Sequence, residues 1–214
     1  YDLVLEPQTV FDKRDQRGQL ALPPDDLSAN FYRQAQQHLT HAGFDHYEIS
    51  NYAQPGYHCQ HNQVYWRNQP YYGFGMGATS YLNGQRFSRP RTRDTYYQWL
   101  KNWLNNDAPC PGESVSATET LLESLMLGLR LRAGVTWDQL PPTTAQQRQQ
   151  ILAVLQPFMQ RQWVMAWDDQ HNNLTTQRVD PEQIQGFRLQ DPEGFLYSNQ
   201  ILSALFATLT DPEP

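Results

Sequence analysis

The spacing of apolar positions changes several times along the chain, and each change predicts an element. Tyr1-Asp2-Leu3-Val4-Leu5 reads as a short buried strand. A lone strand can neither satisfy its backbone nor bury both faces, so the chain is expected to be cut from something larger. Glu6-Pro7 ends that strand, and the charged stretch from Asp12 to Gly18 reads as a loop. Pro23-Pro24-Asp25-Asp26 is a helix entry with carboxylates near the first turn. Leu27, Phe31, Ala35 and Leu39 continue at helical spacing until Gly43 stops the helix. Phe44 to Ile49 then alternates as a strand does. Strand, helix and strand in that order predict a βαβ unit, in which side chains just past the strand ends usually face the ligand crevice.

Aromatics and glycines dominate from Tyr57 to Tyr81, and Tyr96 to Leu104 has the spacing of a short aromatic helix. Asn105 to Gly112 reads as a linker. Ser116-Ala117-Thr118-Glu119 has the form of a capping box. A broad apolar stripe follows, through Leu121, Leu122, Leu125, Met126, Leu129 and Leu131, and is expected to end at Gly134 and Val135. Trp137 to Leu140 predicts a short turn. Ile151, Leu152, Leu155, Phe158 and Met159 predict a further helix, with a kink expected at Pro157. Trp163 to Trp167 reads as a strand, and Phe195 to Leu209 as a last amphipathic helix. Helices, a small hairpin and a helix together suggest a winged-helix-like module.

Composition narrows the functional classes. Hydrophobic residues make up 39% of the 214 positions, enough for a real core. The net charge of -6 offers no basic field, which argues against a nucleic-acid partner. No run approaches the roughly 18 apolar residues of a membrane span, so no transmembrane segment is expected. Cys59 and Cys110 are the two cysteines. One possible pair is a thin framework for a secreted domain, so they read as free thiols in a reducing, cytoplasmic compartment.

Three stretches carry candidate chemistry. In His61-Asn62-Gln63-Val64-Tyr65-Trp66, an imidazole able to ligate iron precedes two aromatics that could line a flat apolar slot. On pattern alone, such a histidine is more often a packed, hydrogen-bonded residue. Structural zinc at His58-Cys59-Gln60-His61 would need a fourth ligand, and no partner pair stands at a normal spacing. Gly73-Phe74-Gly75-Met76-Gly77-Ala78-Thr79-Ser80 allows backbone amides to approach a ligand closely. It is neither a dinucleotide fingerprint nor a phosphate loop, and spacing alone favours a tight strand crossing. Glu48, near a strand end, is a possible general base but more commonly would bond a neighbouring loop. His38, His41 and His46 read as surface or helix-end residues.

Taken in order, the segments are more specific than any one of them. Tyr47-Glu48-Ile49-Ser50-Asn51-Tyr52-Ala53 is followed by Pro55-Gly56, by His61-Asn62-x-x-Tyr65-Trp66, and by Tyr72-Gly73-x-Gly75-x-Gly77-Ala78-x-Ser80. This series resembles the HemW-type haem chaperones, within the radical S-adenosylmethionine family of oxygen-independent coproporphyrinogen oxidases. Tyr1-Asp2-Leu3-x-Leu5-Glu6-Pro7 upstream and Gly194-Phe195-Leu196-x-Ser198-Asn199 downstream fit the same family.

The resemblance implies an α/β fold: the C-terminal part of an incomplete (β/α) barrel over residues 1–112, then a small helical, winged-helix-like domain over 113–214. It implies His61 as a haem ligand, with Asn62, Tyr65 and Trp66 as its surroundings. It also implies that backbone at Val4 and Thr79, with Gly75 and Gly77 permitting close approach, contacts the nucleoside of S-adenosylmethionine. Thr79 departs from the histidine common at that place in the chaperone branch. The family's [4Fe-4S] cluster is held by a CxxxCxxC loop, which this sequence lacks. The chain alone is therefore expected to bind no cluster and to cleave no S-adenosylmethionine, whereas a complete parent would bind cluster, S-adenosylmethionine and haem, and pass haem to an acceptor protein. The alternative is an oxygen-independent coproporphyrinogen III oxidase, an enzyme of porphyrin biosynthesis.

Overall fold

A computed structural model describes residues 5–106, 113–174 and 181–210. All of the expected first strand but Leu5, and so Val4, and most of the expected linker lie outside the described residues. The stretch read as a loop after Pro7 contains a short helix, α1 (Val10–Asp15). Its entry is fixed by Thr9, whose side chain accepts the Asp12 N–H at 3.3 Å, a local bond that periodicity over six residues does not reveal. Helix α2 (Asp25–His41) forms as the spacing predicts, and Gly43 follows in the left-handed conformation at φ 86°.

Strand β1 (Asp45–Glu48) does not find a parallel partner among the described residues. It turns back at once into β2 (Asn51–Ala53), antiparallel, with Asp45 opposite Ala53. The polar end of the strand is thus one arm of a hairpin rather than the rim of a crevice. Helix α3 (Gln60–Trp66) comes next, then the hairpin of β3 (Thr79–Leu82) and β4 (Gln85–Ser88), then α4 (Arg93–Asn106). Strand β5 (Glu113–Ser114) returns to the far side of β4.

The second half is built on a different plan. Helix α5 (Ala117–Gly128) starts at the predicted capping box: Ser116 Oγ accepts the Glu119 N–H at 3.2 Å, and Glu119 returns the bond to the Ser116 N–H at 2.8 Å. These bonds hold the Glu119 carboxyl below its ordinary pKa. The helix stops at Gly128, earlier than the apolar stripe suggests, and Gly128 itself must lack a side chain, because a Cβ there would meet Val135 at 2.2 Å. Strand β6 (Val135–Thr136) and a single 3-10 turn (Trp137–Gln139) lead into α6 (Ala145–Gln160). Helix α6 runs through Pro157, which lies in its last turn. Strand β7 (Val164–Trp167) and β8 (Gly186–Leu189) complete a three-stranded sheet in the order β6-β8-β7, before α7 (Glu193–Leu196) and α8 (Ser198–Leu209). Helix, strand, helix and hairpin in this order are winged-helix-like. The apolar faces of α5, α6 and α8 close on this sheet around Leu125, Ile151, Leu155, Phe187, Ile201 and Leu205, all without solvent exposure.

The two halves meet along β1. Glu48 forms an antiparallel bridge with Leu131, the Ile49 N–H donates to the Arg130 carbonyl at 2.8 Å, and the Arg132 N–H donates to the Tyr47 carbonyl at 3.1 Å. His46, expected at the surface, is fully buried here. It stacks on Tyr52 at 4.0 Å between centroids and meets Phe195 edge-on at 5.3 Å. Its Nδ1 lies 2.9 Å from Asp191 Oδ1, close but without the alignment of a full hydrogen bond. Three successive residues of β1, His46, Tyr47 and Glu48, are buried, so both faces of the strand are covered, which alternation in the sequence does not show. Glu48 is also fully buried; one oxygen accepts the Ser50 N–H at 3.2 Å, which is the neighbouring-loop bond rather than a base facing a crevice.

The phenols of this junction feel the burial. The Tyr32 hydroxyl donates to the Ile49 carbonyl at 2.8 Å, and its pKa is raised by desolvation first and then by the charges of Tyr52, Asp191 and Glu48. Burial, with Asp191 adding to it, pushes Tyr52 from 10.0 up to about 12. A phenol with a higher pKa in the folded chain keeps its proton more tightly when folded, so its contribution is intact below pH 10.0 and is lost as pH rises toward 12. Unfolding free energy is therefore expected to fall across that interval, and to fall less in Tyr52→Phe. Chemical denaturation of both proteins at stepped alkaline pH checks this; parallel curves would remove Tyr52 from the account.

Candidate functional site

Helix α3 divides the predicted haem element by its own geometry. Residues four apart share a helix face, so His61 and Tyr65 lie on one side and Asn62 and Trp66 on another. His61 is exposed, and its ring meets Tyr65 edge-on at 4.9 Å. Its ring nitrogens form no hydrogen bond among the described residues, so the imidazole is not the packed, bonded kind that pattern alone favours. Tyr65 in turn meets Tyr71 at 4.7 Å, also edge-on.

The other side of α3 faces the protein. Gln63 is buried and accepts from Arg67 Nη2 at 2.8 Å. Trp66 turns its indole N–H to the interior, without a hydrogen-bond partner, and the Arg130 guanidinium lies 5.5 Å from the ring centre. Asn62 is half-buried. The structure thus brings His61 and Tyr65 together but sets Trp66 against the junction, with no ring contact to His61. Just past the helix, Asn68 adopts φ 49° and joins a network in which Arg86 pairs with Glu123 and also donates to Asn68 Oδ1 at 3.0 Å. This network ties the end of α3 to β4 and α5, and fixes which side of the helix looks outward.

The glycine-rich segment is a closed excursion from a strand pair. Tyr71 and Tyr81 exchange backbone bonds of 2.8 and 2.9 Å, and the Gly73 N–H donates to Ser80 Oγ at 3.0 Å. Buried Ser80 also accepts from Arg89 Nη1 at 3.0 Å. Gly73, the first of the alternating glycines, is the position where no side chain fits, as a tight crossing requires: a Cβ would lie 2.2 Å from the Thr79 carbonyl oxygen. Gly75 at φ 90° and Gly77 at φ 68° need glycine for conformation instead. Beyond Gly75 there is open space, so its backbone is free to approach a ligand. Thr79 holds Ser88 through a 2.7 Å hydroxyl pair at the start of β3. The tip of the excursion exposes Tyr72 at 65% and Phe74 at 83%, the two rings stacked at 6.1 Å. Cys59, at the entrance to α3, is exposed and free. Cys110 lies outside the described residues. Among the described residues no cluster of histidine, cysteine and carboxylate could hold a metal ion, and no helix is long and apolar enough to cross a membrane.

Comparison with known proteins now adds to this geometry. Residues 115–177 match the HemN C-terminal domain family. A heme chaperone HemW from Synechocystis is 61% identical over 211 residues, covering 99% of this chain and 51% of that protein. The chain belongs to the HemW-type radical SAM family. Its similarity extends to heme chaperone HemW of Escherichia coli, at 42% identity over 61% of this chain and 33% of that protein, and of Lactococcus lactis, at 38% over 63% and 35%. The chain therefore spans about half the length of the Synechocystis relative and about a third of the other two. The solved coproporphyrinogen III oxidase HemN of Escherichia coli, a radical SAM enzyme, superposes with a TM-score of 0.57 over 86% of this chain and 42% of that one. At 16% identity it shows the α/β fold alone.

Replacing Gly73 by Ala drives a methyl group into the Thr79 carbonyl and must break the Ser80 bond or shift β3. The expected loss of stability is about 1–3 kcal/mol, in the range of an unpaired buried polar group. Gly75→Ala, strained by its φ but sterically open, provides the comparison. Equal unfolding midpoints for Gly73→Ala and the parent would show that the excursion is not held as described.

Proposed function

We propose that this chain is the haem-handling part of a haem chaperone, with His61 as the axial ligand of the iron. The observation that carries the reading is the state of His61: an exposed imidazole with unengaged nitrogens, set beside Tyr65 on the outward side of α3. Haem would supply an iron whose axial position an imidazole can fill. Tyr65 holds the His61 ring edge-on, and the exposed rings of Tyr72 and Phe74 offer apolar area at the neighbouring excursion. Asn62 and Trp66 lie on the other side of the helix, Trp66 against Arg130, and would border the ligand only from behind. The relatives named heme chaperone HemW support the same reading.

Haem bound on this face would be handed to an acceptor protein, which an exposed site permits without opening the fold. In a complete parent, S-adenosylmethionine would meet the backbone of Gly75, Gly77 and Thr79, with Val4, outside the described residues, as a fourth contact; the [4Fe-4S] cluster would be held elsewhere. A division at residues 1–112 and 113–214 and a cytoplasmic location belong to this reading, the first supported by a family match that starts at residue 115. The oxidase alternative has the shared fold and the HemN C-terminal domain match behind it, whereas the relatives of 38% identity and more that are cited above are named heme chaperones.

Titration of the 214-residue chain with hemin, followed at the Soret band, tests the assignment. The parent chain is expected to shift the band, and His61→Ala to weaken binding at least about tenfold, the scale of one lost strong interaction. Equal affinity in the two proteins would exclude His61 as the ligand.

A further inference from the structure

We propose that Arg91 binds a carboxylate of the tetrapyrrole, at the root of the apolar excursion that carries Tyr72, Phe74 and Met76. This rests on the haem reading above and asks what the polar edge of that ligand meets. Haem is flat and apolar over most of its area and carries two propionate carboxylates on one edge. A surface that holds it needs an apolar shelf beside a cation.

The excursion provides the shelf. Phe74 is 83% exposed and Met76 is 51% exposed, a concentration of apolar area that a folded chain does not leave open without use. The cation is selected by elimination among the nearby arginines. Arg86 pairs with Glu123, and Arg89 donates to Ser80 and lies over the rings of Phe87 and Trp99. Arg93 stands 4.0 Å from Asp94. Arg91 alone of the four has no hydrogen bond or ion pair among the described residues.

Its position is fixed by backbone. The Gly77 N–H donates to the Pro90 carbonyl at 3.0 Å, and the Arg89 N–H donates to the Ala78 carbonyl at 2.9 Å. These bonds lay the segment between β4 and α4 that carries Arg91 along the end of the excursion, where the Arg91 Cγ would stand 3.5 Å from a side chain at Gly77. The arginine stem thus runs beside the loop at Gly77, where glycine is required by the backbone conformation, φ 68°. In a chain of net charge -6, an uncompensated guanidinium at this place attracts an anion that the rest of the surface repels. Its planar fork suits a carboxylate, which it can hold through two parallel bonds.

The test compares hemin with hemin dimethyl ester, which lacks the free carboxylates, on the 214-residue chain. Arg91→Ala is expected to weaken hemin binding about tenfold or more while leaving the Soret maximum of the bound form unchanged, because His61 still ligates the iron. The ester should bind the parent and Arg91→Ala alike, and Arg91→Lys should recover part of the hemin affinity. Arg91 is exposed and unpartnered, so these substitutions leave the fold intact. If hemin binding depends on His61 but is unchanged in Arg91→Ala, or if Arg91→Ala weakens hemin and ester equally, the carboxylate role of Arg91 is overturned and the haem reading stands. If hemin fails to bind, or binds without regard to His61, both fall.

Discussion

A two-turn helix has one side to give to the protein and one to give to a ligand, and the seven residues of α3 are divided accordingly. Gln63 and Trp66 face inward; His61 and Tyr65 face outward. Everything proposed for the chain depends on that division being fixed. A half-turn of α3 about its axis would bury the imidazole and expose the indole. Burial of apolar area alone is non-directional and would not choose between such rotations. Directional contacts outside the helix do: those of Asn68, just past its end, with Arg86 and Glu123.

Those contacts reach into the helical half, and so the site is set by both halves of the chain. Glu123 lies on α5, and Arg130, against Trp66, follows that helix directly. The strand bridge of Glu48 with Leu131 and the fully buried His46 close the same junction from the other side. A buried polar junction adds little net stability compared with an apolar one, but it tolerates few alternative registers. For a surface that must hold one imidazole outward, the register is the property that matters.

Much of this was legible in the sequence, for reasons that differ by element. Helices α2, α5, α6 and α8 follow from apolar spacing, and the capping box at Ser116 marked the start of α5 to the residue. The ordered series from Tyr47 to Ser80 carried the family, and His61 was singled out from it. Helix α1 was missed because a local side-chain bond, not periodicity, starts it. The antiparallel turn after β1 was missed because alternation gives a strand its faces but not its neighbour. His46 read as a surface residue because its cover, Phe195 and Asp191, lies far along the chain. Trp66 was grouped with His61 because adjacency in a motif does not reveal that the two point to different sides of a helix.

The excursion from Tyr71 to Tyr81 shows the same limit. Its alternating glycines look alike in the sequence, yet Gly73 is required by a steric contact and Gly75 and Gly77 by backbone conformation. The central claim remains the outward imidazole, and chemical rescue tests it most directly. Ferric haem bound to the chain should give the electron paramagnetic resonance signature of imidazole ligation. His61→Gly should lose it, and added free imidazole should restore it. A His61→Gly protein that keeps the parent spectrum without imidazole would contradict the account.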